Sequence, residues 1–244
     1  MNIIVGRKPV IEALNAGALI EKIYLLRGVH GEPIDEIRQL ARRKNILCSE
    51  TDRPAFEKLS RDANTQGVVA MVGVKEYSDI DELLSISSSK GEKPFLLIFD
   101  EIEDPHNLGA LIRTAVCLGA HGGIVPKHHA SPVNETVAKT SAGASALFPI
   151  AKVTNIVATI QELKQQGVWI VGTDAESTRS FTEVDYTMPI AIVVGNEGRG
   201  IRRLVKEKCD FVVSIPMTGS FDSLNVSVAG GLMMYEVFRK RNKK

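Results

Sequence analysis

Three polar segments of the chain hold the side chains best suited to chemistry. They are NLGALIR at residues 107–113, GNEGRG at residues 195–200 and IPMTGSFDSLNVSVAGG at residues 215–231. The groups they offer are two amides, a guanidinium, a carboxylate and a hydroxyl, at Asn107, Asn225, Arg113, Glu197 and Ser223. A carboxylate can accept a proton, and a guanidinium can bind an anion or stabilise a developing oxyanion. These five residues are therefore the candidates for a reactive site.

Each segment also has an ordinary structural explanation. Asn107 and Ser223 are residue types that cap helices, and we expect Ser223 to cap a helix over Leu224–Arg241. GNEGRG is typical of a tight turn, and Arg113 of an exposed helix face. A shared site is favoured only if the three segments lie close together in the fold.

The elements around these segments predict such a meeting. Helical patterns over Leu108–Leu118 and Ile156–Gln166 alternate with apolar runs typical of strands buried on both faces. The runs are Phe95–Asp100, Gly123–Val125, Val168–Gly172, Ile190–Val194 and Phe211–Ile215. The alternation predicts an α/β domain with a parallel sheet and helices on both faces, and such sheets bind ligands beyond the carboxyl ends of their strands. All three polar segments follow predicted strands.

The chain divides by composition into two domains and a connection. Residues 1–75 alternate short helices and strands and predict a small α/β domain. Residues 76–93 contain the run ISSSKGEK and are predicted to be a linker, although residues 80–84 look helical. The second domain is predicted to span residues 94–244.

Charge and composition exclude several classes of protein. The net charge of +1 argues against a protein that simply coats nucleic acid, but clustered cations allow a local phosphate-binding face, for which we choose Arg42, Arg43 and Lys44. There is no long apolar run or secretory leader, so we expect a cytoplasmic protein that does not engage a membrane. No phosphate-binding loop or serine nucleophile elbow is present. The cysteine and histidine spacings predict no metal site.

The three polar segments, in this order and at this spacing, resemble the sequence motifs of the SpoU branch of the SPOUT methyltransferases. The resemblance covers residues 94–241, and the preceding domain resembles the ribosomal-protein-like substrate-binding domain of family members that act on large-subunit ribosomal RNA. It implies methylation of a ribose 2′-hydroxyl in RNA with S-adenosylmethionine as methyl donor. It also implies a homodimer and a C-terminal trefoil knot.

The resemblance assigns roles to individual residues. It implies that Gly195, Asn196, Ile215 and Leu224 contact the cofactor, with Thr173 near its adenine. Arg113 is implied to lie closest to the reacting hydroxyl. Because a guanidinium stays protonated in proteins, we expect Arg113 to bind the ribose and stabilise its oxyanion, held by a bidentate pair with Glu197. Asn107, Ser223 and Asn225 are expected to position the RNA or the loops, and which group removes the proton stays open.

The substrate has several alternatives at this point. The N-terminal domain favours ribosomal RNA, and a guanosine of the large-subunit RNA is the family-level prediction. The same chemistry on transfer RNA, or at a ribosomal site of the antibiotic-resistance type, is an alternative. A non-catalytic RNA-binding assembly factor with the same fold is another.

Overall fold

The structure is a computed structural model that describes residues 2–15, 20–60, 65–72, 77–218 and 223–242. It divides into two compact units, Met1–Glu76 and Tyr77–Lys244. Within the described ranges, no helix is long and apolar enough to cross a membrane. Residues 219–222 of the third polar segment fall outside those ranges.

The first unit is a four-stranded mixed sheet with helices between its strands. Its elements are β1 (Asn2–Val5), α1 (Arg7–Asn15), β2 (Ile20–Leu26), α2 (Glu32–Arg43), β3 (Leu47–Thr51), α3 (Arg53–Ser60) and β4 (Val68–Val72). The strand order is β1-β4-β2-β3, with β2 and β3 parallel and β4 antiparallel to its two neighbours. Apolar side chains of α1 and α2, including Leu14 and Ile37, pack with Ile23 and Leu25 of β2 into one core.

The second unit contains a six-stranded sheet whose strands all run parallel. Its strands are β5 (Phe95–Phe99), β6 (Gly122–Pro126), β7 (Ile150–Val153), β8 (Trp169–Thr173), β9 (Ile190–Val194) and β10 (Phe211–Val213). They lie in the order β10-β8-β9-β5-β6-β7. The helices are α4 (Ile80–Ser89), α5 (Pro105–Cys117), α6 (Glu135–Thr140), α7 (Ala144–Leu147), α8 (Ile156–Gln165), α9 (Arg203–Lys206) and α10 (Val226–Arg241).

Both faces of this sheet are covered, as its unbroken apolar strands predict. Side chains alternate across a strand, so Phe95, Leu97 and Phe99 of β5 face one core while Leu96 and Ile98 face the other. Helices α5 and α10 complete the first core, and α4, α8 and α9 complete the second. The α/β class with a parallel sheet is thereby confirmed.

Helix α4 occupies most of the segment that the sequence predicts to be a linker. Ile80 and Leu83 are buried in the second core of the sheet, and Asp79 caps the helix by accepting a hydrogen bond from the backbone of Glu82. The serines at the end of α4 donate to carbonyls of the same helix, as Ser87 does to Leu84 at 2.7 Å. Residues 77–93 therefore belong to the second unit. The helix was not predicted over its whole length because its sequence is rich in serine and its apolar face is only two turns long.

The end of α10 is fixed beneath the amino edge of the sheet by one arginine. The guanidinium of Arg241 donates to four backbone carbonyls, at 2.7 Å for Lys93, 2.8 Å for Met188, 2.9 Å for Pro94 and 3.0 Å for Tyr186. These carbonyls precede β5 and β9, the two central strands. Arg241 thereby sets the position of α10, whose other end approaches the carboxyl edge.

A buried histidine at the same edge makes stability depend on pH. The Nδ1 atom of His121 accepts from the backbone of Phe95 at 3.1 Å, and its Nε2 lies 2.9 Å from Glu92. An accepting Nδ1 must be unprotonated, so Nε2 carries the hydrogen and donates to Glu92. Burial lowers the pKa of His121, although Glu92 opposes the shift. The neutral ring is therefore the form that the fold favours.

We expect the free energy of unfolding to fall as the pH drops below the ordinary histidine pKa of about 6.5. Since the folded-state pKa is lowered, the unfolded chain takes up the proton first, and the contribution of His121 is complete above that pH and lost below it. One such group gives a slope of at most about 1.4 kcal/mol per pH unit. Urea unfolding between pH 8 and 5 should show a smaller slope for His121→Gln than for wild type. The exposed His128→Gln is the control, and equal slopes in all three proteins would refute the prediction.

Candidate active site

The carboxyl ends of the parallel strands bring the three polar segments to one edge of the sheet. Strand β5 leads into the loop before α5, which carries Asn107, and its neighbour β9 leads into the loop that carries Glu197. Strand β10 leads into the segment that ends in Asn225 at the start of α10. The meeting predicted from strand order is therefore present.

Two asparagines and one glutamate form a closed hydrogen-bonded triad at this edge. The Nδ2 of Asn107 donates to Glu197 Oε2 at 3.1 Å, and the Nδ2 of Asn225 donates to Glu197 Oε1 at 2.7 Å. Asn225 Nδ2 also lies 3.1 Å from Asn107 Oδ1. Asn107 is only 7% exposed, whereas Glu197 is exposed. The triad thus holds a carboxylate in a fixed position at an edge that solvent and ligand can reach.

The cap of α10 is Asn225 and not Ser223. The Oδ1 of Asn225 accepts from the backbone of Ser227 at 2.9 Å and from its hydroxyl at 2.5 Å, and the helix begins at Val226. Ser223 lies two residues before the cap and is exposed. The prediction of a Ser223 cap was wrong because Ser and Asn are both good caps and sequence alone does not choose between them. Its exposure leaves the Ser223 hydroxyl available to a ligand.

Arg113 lies on α5 with an exposed side chain, and it makes no ion pair with Glu197 in the structure. Among the residues that the structure describes, the predicted bidentate pair is therefore not formed. Arg113 follows Asn107 by six residues, which is about 9 Å along a helix and about 240° around it. Glu197 instead takes its hydrogen bonds from the two amides, so the guanidinium is left to face solvent.

The loop after β9 is closed on itself. Asn196 and Gly200 exchange backbone hydrogen bonds of 2.9 Å in both directions, and Asn196 Oδ1 accepts from the backbones of Gly198 at 3.0 Å and Arg199 at 3.3 Å. Gly195 lies against the returning chain, where an added Cβ would be 2.3 Å from the carbonyl carbon of Gly200. Only glycine fits there. The loop therefore holds Glu197 at its tip.

The residues implied to contact the cofactor lie along the same edge. Thr173 ends β8, Gly195 follows β9, and Ile215 follows β10, which are three adjacent strands in the sheet. Gly195 is buried, while Thr173, Asn196, Ile215 and Leu224 are half-buried. The small and apolar surfaces at the ends of these strands fit an adenosyl ligand that is bound largely through the main chain.

The proposed phosphate-binding cations lie in the first unit. Arg42 and Arg43 end α2, Lys44 is its C-cap, and all three are exposed. Cations at a helix C-terminus stabilise the helix dipole, so these residues also have a structural reason to be there. Nothing in the geometry of α2 conflicts with RNA binding.

Sequence reasoning missed Asp100 and Arg202, which join the loops after β5 and β9. The Asp100 carboxylate is completely buried, accepts two hydrogen bonds from Arg202 and forms an ion pair with its guanidinium. A carboxylate at the end of an apolar strand was the available signal, but its partner lies 102 residues away. Among the cysteines, Cys117 is exposed, whereas burial raises the pKa of Cys209 to about 12.

A parallel sheet covered on both faces, with fixed polar groups at its carboxyl edge, defines an α/β domain of the ligand-binding, catalytic type. The model of the SpoU rRNA Methylase family matches residues 94–235, and a model described as RNA 2′-O ribose methyltransferase substrate binding matches residues 3–78. The chain belongs to the SpoU family of RNA methyltransferases.

Similar proteins cover almost the whole chain. A Bacillus subtilis strain 168 protein, YacO, which carries the name of a TrmH family tRNA/rRNA methyltransferase, is 44% identical over 98% of this chain and 96% of its own length. The SpoU methyltransferase AviRb of Streptomyces viridochromogenes, solved with AdoMet, has a TM-score of 0.74 and 27% identity, covering 98% of this chain and 90% of its own. An AdoMet-bound rRNA methyltransferase of Sinorhizobium meliloti gives 0.72 and 26%, over 99% and 88%.

Proposed function

We propose that the protein methylates the 2′-hydroxyl of a guanosine ribose in large-subunit ribosomal RNA, with S-adenosylmethionine as the methyl donor. The observation that carries this proposal is the triad of Asn107, Glu197 and Asn225, because it unites one residue from each family motif at one edge of the sheet. An RNA-binding protein without catalysis has no need for this convergence.

The cofactor supplies a methyl group bound to a positively charged sulfur. The ribose oxygen forms the new bond to the methyl carbon as the carbon–sulfur bond breaks, and the hydroxyl proton passes to a basic group at the site or to water. We assign the edge formed by Thr173, Gly195, Asn196, Ile215 and Leu224 to cofactor binding. These residues offer backbone groups and apolar contacts and no competing cation, which suits a sulfonium ligand.

Arg113 is assigned to the ribose. Its exposed guanidinium stands on the helix that begins at the triad, where it can bind the nucleotide and stabilise the negative charge that develops on the 2′-oxygen. Glu197 and Ser223 are the other reactive polar groups of the proposed site, and the bidentate pair of Glu197 with Arg113 belongs to the RNA-bound state in this proposal. Glu197, Asn107 and Asn225 keep the two loops together until then.

Ribosomal RNA is favoured over transfer RNA because the chain carries the additional first unit. That unit matches a substrate-binding model, and the Sinorhizobium meliloti neighbour, of which the chain covers 88%, is described as an rRNA methyltransferase. The test is transfer of labelled methyl from S-adenosylmethionine to unmodified 23S ribosomal RNA and, separately, to unmodified transfer RNA. We expect incorporation of about one methyl per 23S molecule and none into transfer RNA. The reverse would assign the protein to transfer RNA.

We expect Arg42→Gln, Arg43→Gln and Lys44→Gln together to weaken RNA binding and flatten its salt dependence. Each lost phosphate contact removes about 0.7 to 0.9 from the slope of log affinity against log salt, so three contacts remove about 2 to 3. Fluorescence anisotropy between 50 and 300 mM salt measures the slope. The matched control replaces Arg7, Arg27 and Arg53, which follow β1, β2 and β3 at the other edge of the same sheet. If the salt dependence changes only in the control variant, the RNA binds at the opposite edge of the sheet and the prediction is wrong.

We also propose that α10 forms the seam of a homodimer. From the sequence alone, the apolar side chains of α10 could equally belong to the core of the domain. In the structure, however, the side chains that face the core are Val226, Met233, Met234 and Val237. The other face exposes Val228, Leu232, Tyr235 and Phe238, at 50%, 40%, 55% and 37%. Apolar side chains three and four residues apart share one helix face, so they form a continuous strip. A strip of this kind on a polar surface favours a protein interface.

Tyr235→Glu is expected to convert a dimer to a monomer and to abolish methyl transfer. Burying an unpaired charge in a dimer interface costs several kcal/mol, and in a symmetric dimer each of the two subunits buries one such charge. Light scattering after gel filtration gives the mass of wild type and variant. Leu204→Glu, at a 56% exposed leucine on α9, is the control that should stay dimeric. A wild-type mass near 26.6 kDa would contradict the dimer.

The chain path supports the proposed trefoil knot. After β10, at the far edge of the sheet, the chain returns to place α10 beside α5, where a Cβ on Gly230 would lie 2.4 Å from Leu111. At the start of α10, Asn225 contacts both Glu197 of the loop after β9 and Asn107 of the loop after β5. Threading through these loops would fix all three motifs at once, and we assign the knot to residues 195–241.

A further inference from the structure

We propose that Asp100 and Arg202 are positioning residues for methyl transfer, which set the loop of Glu197 against the loop of Asn107. This inference rests on the proposed function. It assigns a role in catalysis to two residues that do not themselves contact the RNA or the cofactor in that proposal. Both residues lie outside the triad and outside the cofactor edge. They act through the loops they join.

The pair is buried on one side and fully hydrogen-bonded. Asp100 is 0% exposed; its Oδ2 accepts from the Arg202 backbone at 2.9 Å, and its Oδ1 accepts from Nε at 2.8 Å and forms an ion pair with Nη2 at 2.5 Å. The remaining guanidinium nitrogen lies 3.3 Å from Glu101. Burying a carboxylate costs free energy unless its lone pairs are satisfied in this way. The backbone and the side chain of Arg202 reach different oxygens of this carboxylate, so the pair holds Arg202 in one orientation.

A second contact joins the same two loops beside the first. Asn196 Nδ2 donates to the carbonyl of Glu101 at 3.0 Å. Glu101 adopts a φ of 62°, a left-handed conformation that a glutamate adopts only at a cost, and this conformation turns its carbonyl towards Asn196. The loop is therefore held at both ends, by Asn196 where it begins and by Arg202 where it ends.

The position of Glu197 follows from these two contacts. Residues 196–200 form a closed turn, and Glu197 sits within it. If the Arg202 end is released, the turn keeps its own hydrogen bonds but can move relative to α5, because the Asn196 contact with Glu101 and the Glu197 contacts with Asn107 and Asn225 must then hold it without Arg202. A carboxylate displaced by about 1 Å costs a reaction as much as about 100-fold. The pair of Asp100 and Arg202 therefore affects the position of Glu197 during the reaction more than it affects the affinity for RNA.

The test compares Arg202→Gln, Arg202→Lys and the double variant Asp100→Asn/Arg202→Gln with the control Arg203→Gln. Arg203 is the adjacent arginine, is 80% exposed and pairs only with Glu207 on its own helix among the contacts described. The double variant removes the unpaired buried charge, so it keeps the fold testable if Arg202→Gln is unstable. Hydrogen exchange of residues 195–201, kcat and KM for RNA, and the melting temperature are measured for each.

We expect the backbone amide hydrogens of residues 195–201 to exchange faster in the Arg202 variants than in Arg203→Gln. We also expect the Arg202 variants to lose about 10-fold or more in kcat, with little change in KM for RNA. Arg202→Lys should not restore kcat, because lysine keeps the charge but not the fork. Equal exchange in all proteins would overturn the proposal, as would a rise in KM shared by Arg202→Gln and Arg203→Gln that Arg202→Lys repairs. The exchange measurement needs no activity, so an inactive wild-type protein would refute the methyltransferase and still leave this proposal tested.

Discussion

Arg113→Ala is expected to lower kcat for methyl transfer by about 100- to 1,000-fold, the range observed when one oxyanion-stabilising donor is removed. The affinity for S-adenosylmethionine should change little, because Arg113 lies on α5 and the proposed cofactor contacts follow β8, β9 and β10. Single-turnover methyl transfer and calorimetric cofactor titration measure the two quantities. A loss in kcat without a loss in cofactor affinity identifies a residue that acts on the RNA in the transition state.

Arg113→Lys separates the two parts of the proposed role. Lysine keeps a positive charge but cannot bind ribose and phosphate through a planar fork. We expect it to restore less than about a tenth of the lost activity. Full activity in Arg113→Ala would remove Arg113 from the reaction and leave Glu197 as the main candidate. Loss of cofactor binding in that variant would instead place Arg113 at the cofactor.

Gly195→Ala is expected to weaken cofactor binding by about 10- to 100-fold, which corresponds to the 1 to 3 kcal/mol typical of overpacking. The added methyl would lie 2.3 Å from the Gly200 carbonyl carbon and 2.4 Å from the Ile201 nitrogen, and both are backbone atoms that cannot rotate away. The loop after β9 must then shift as a whole. Methyl transfer should fall by a larger factor than binding, because Glu197 moves with the loop.

Gly198→Ala is the matched control within the same loop. Its nearest neighbour would be the Asn196 side-chain oxygen at 3.8 Å, an ordinary contact distance. We therefore expect wild-type cofactor affinity for Gly198→Ala, measured by the same titration. Equal affinity for the two variants, at the wild-type level, would show that the loop after β9 does not bind the cofactor. Equal losses would mean that the loop is sensitive to any side chain.

The parallel sheet was predictable because its strands carry their own signal. Runs such as Ile190–Val194 are apolar at every position, which only a strand buried on both faces requires. The short elements were less visible: β7 and α7 lie in a stretch of small residues whose pattern predicts neither. Helix α4 was partly missed for a similar reason. The hydroxyls of its serines donate hydrogen bonds to carbonyls of the same helix, and the composition of the segment does not reveal this.

The candidate site was predictable as a set of residues but not as a set of contacts. Asn107, Glu197 and Asn225 were selected by type and by their position after strands, and the structure joins them directly. The sequence predicts a pair of Glu197 with Arg113, whereas the structure holds the carboxylate by two amides, because such contacts depend on helix rotation and loop closure. The Asp100 and Arg202 contact spans 102 residues, and no local pattern encodes a pairing at that distance.

The most direct test of the proposed reaction is the chemical position of the transferred methyl. Unmodified 23S ribosomal RNA, labelled by the protein from S-adenosylmethionine, is hydrolysed in alkali, which requires a free 2′-hydroxyl at every linkage it cuts. We predict that the label survives in a single dinucleotide with guanosine at its 5′ side. Label in mononucleotides would show methylation of a base and contradict the account, and an unlabelled RNA would contradict it as well.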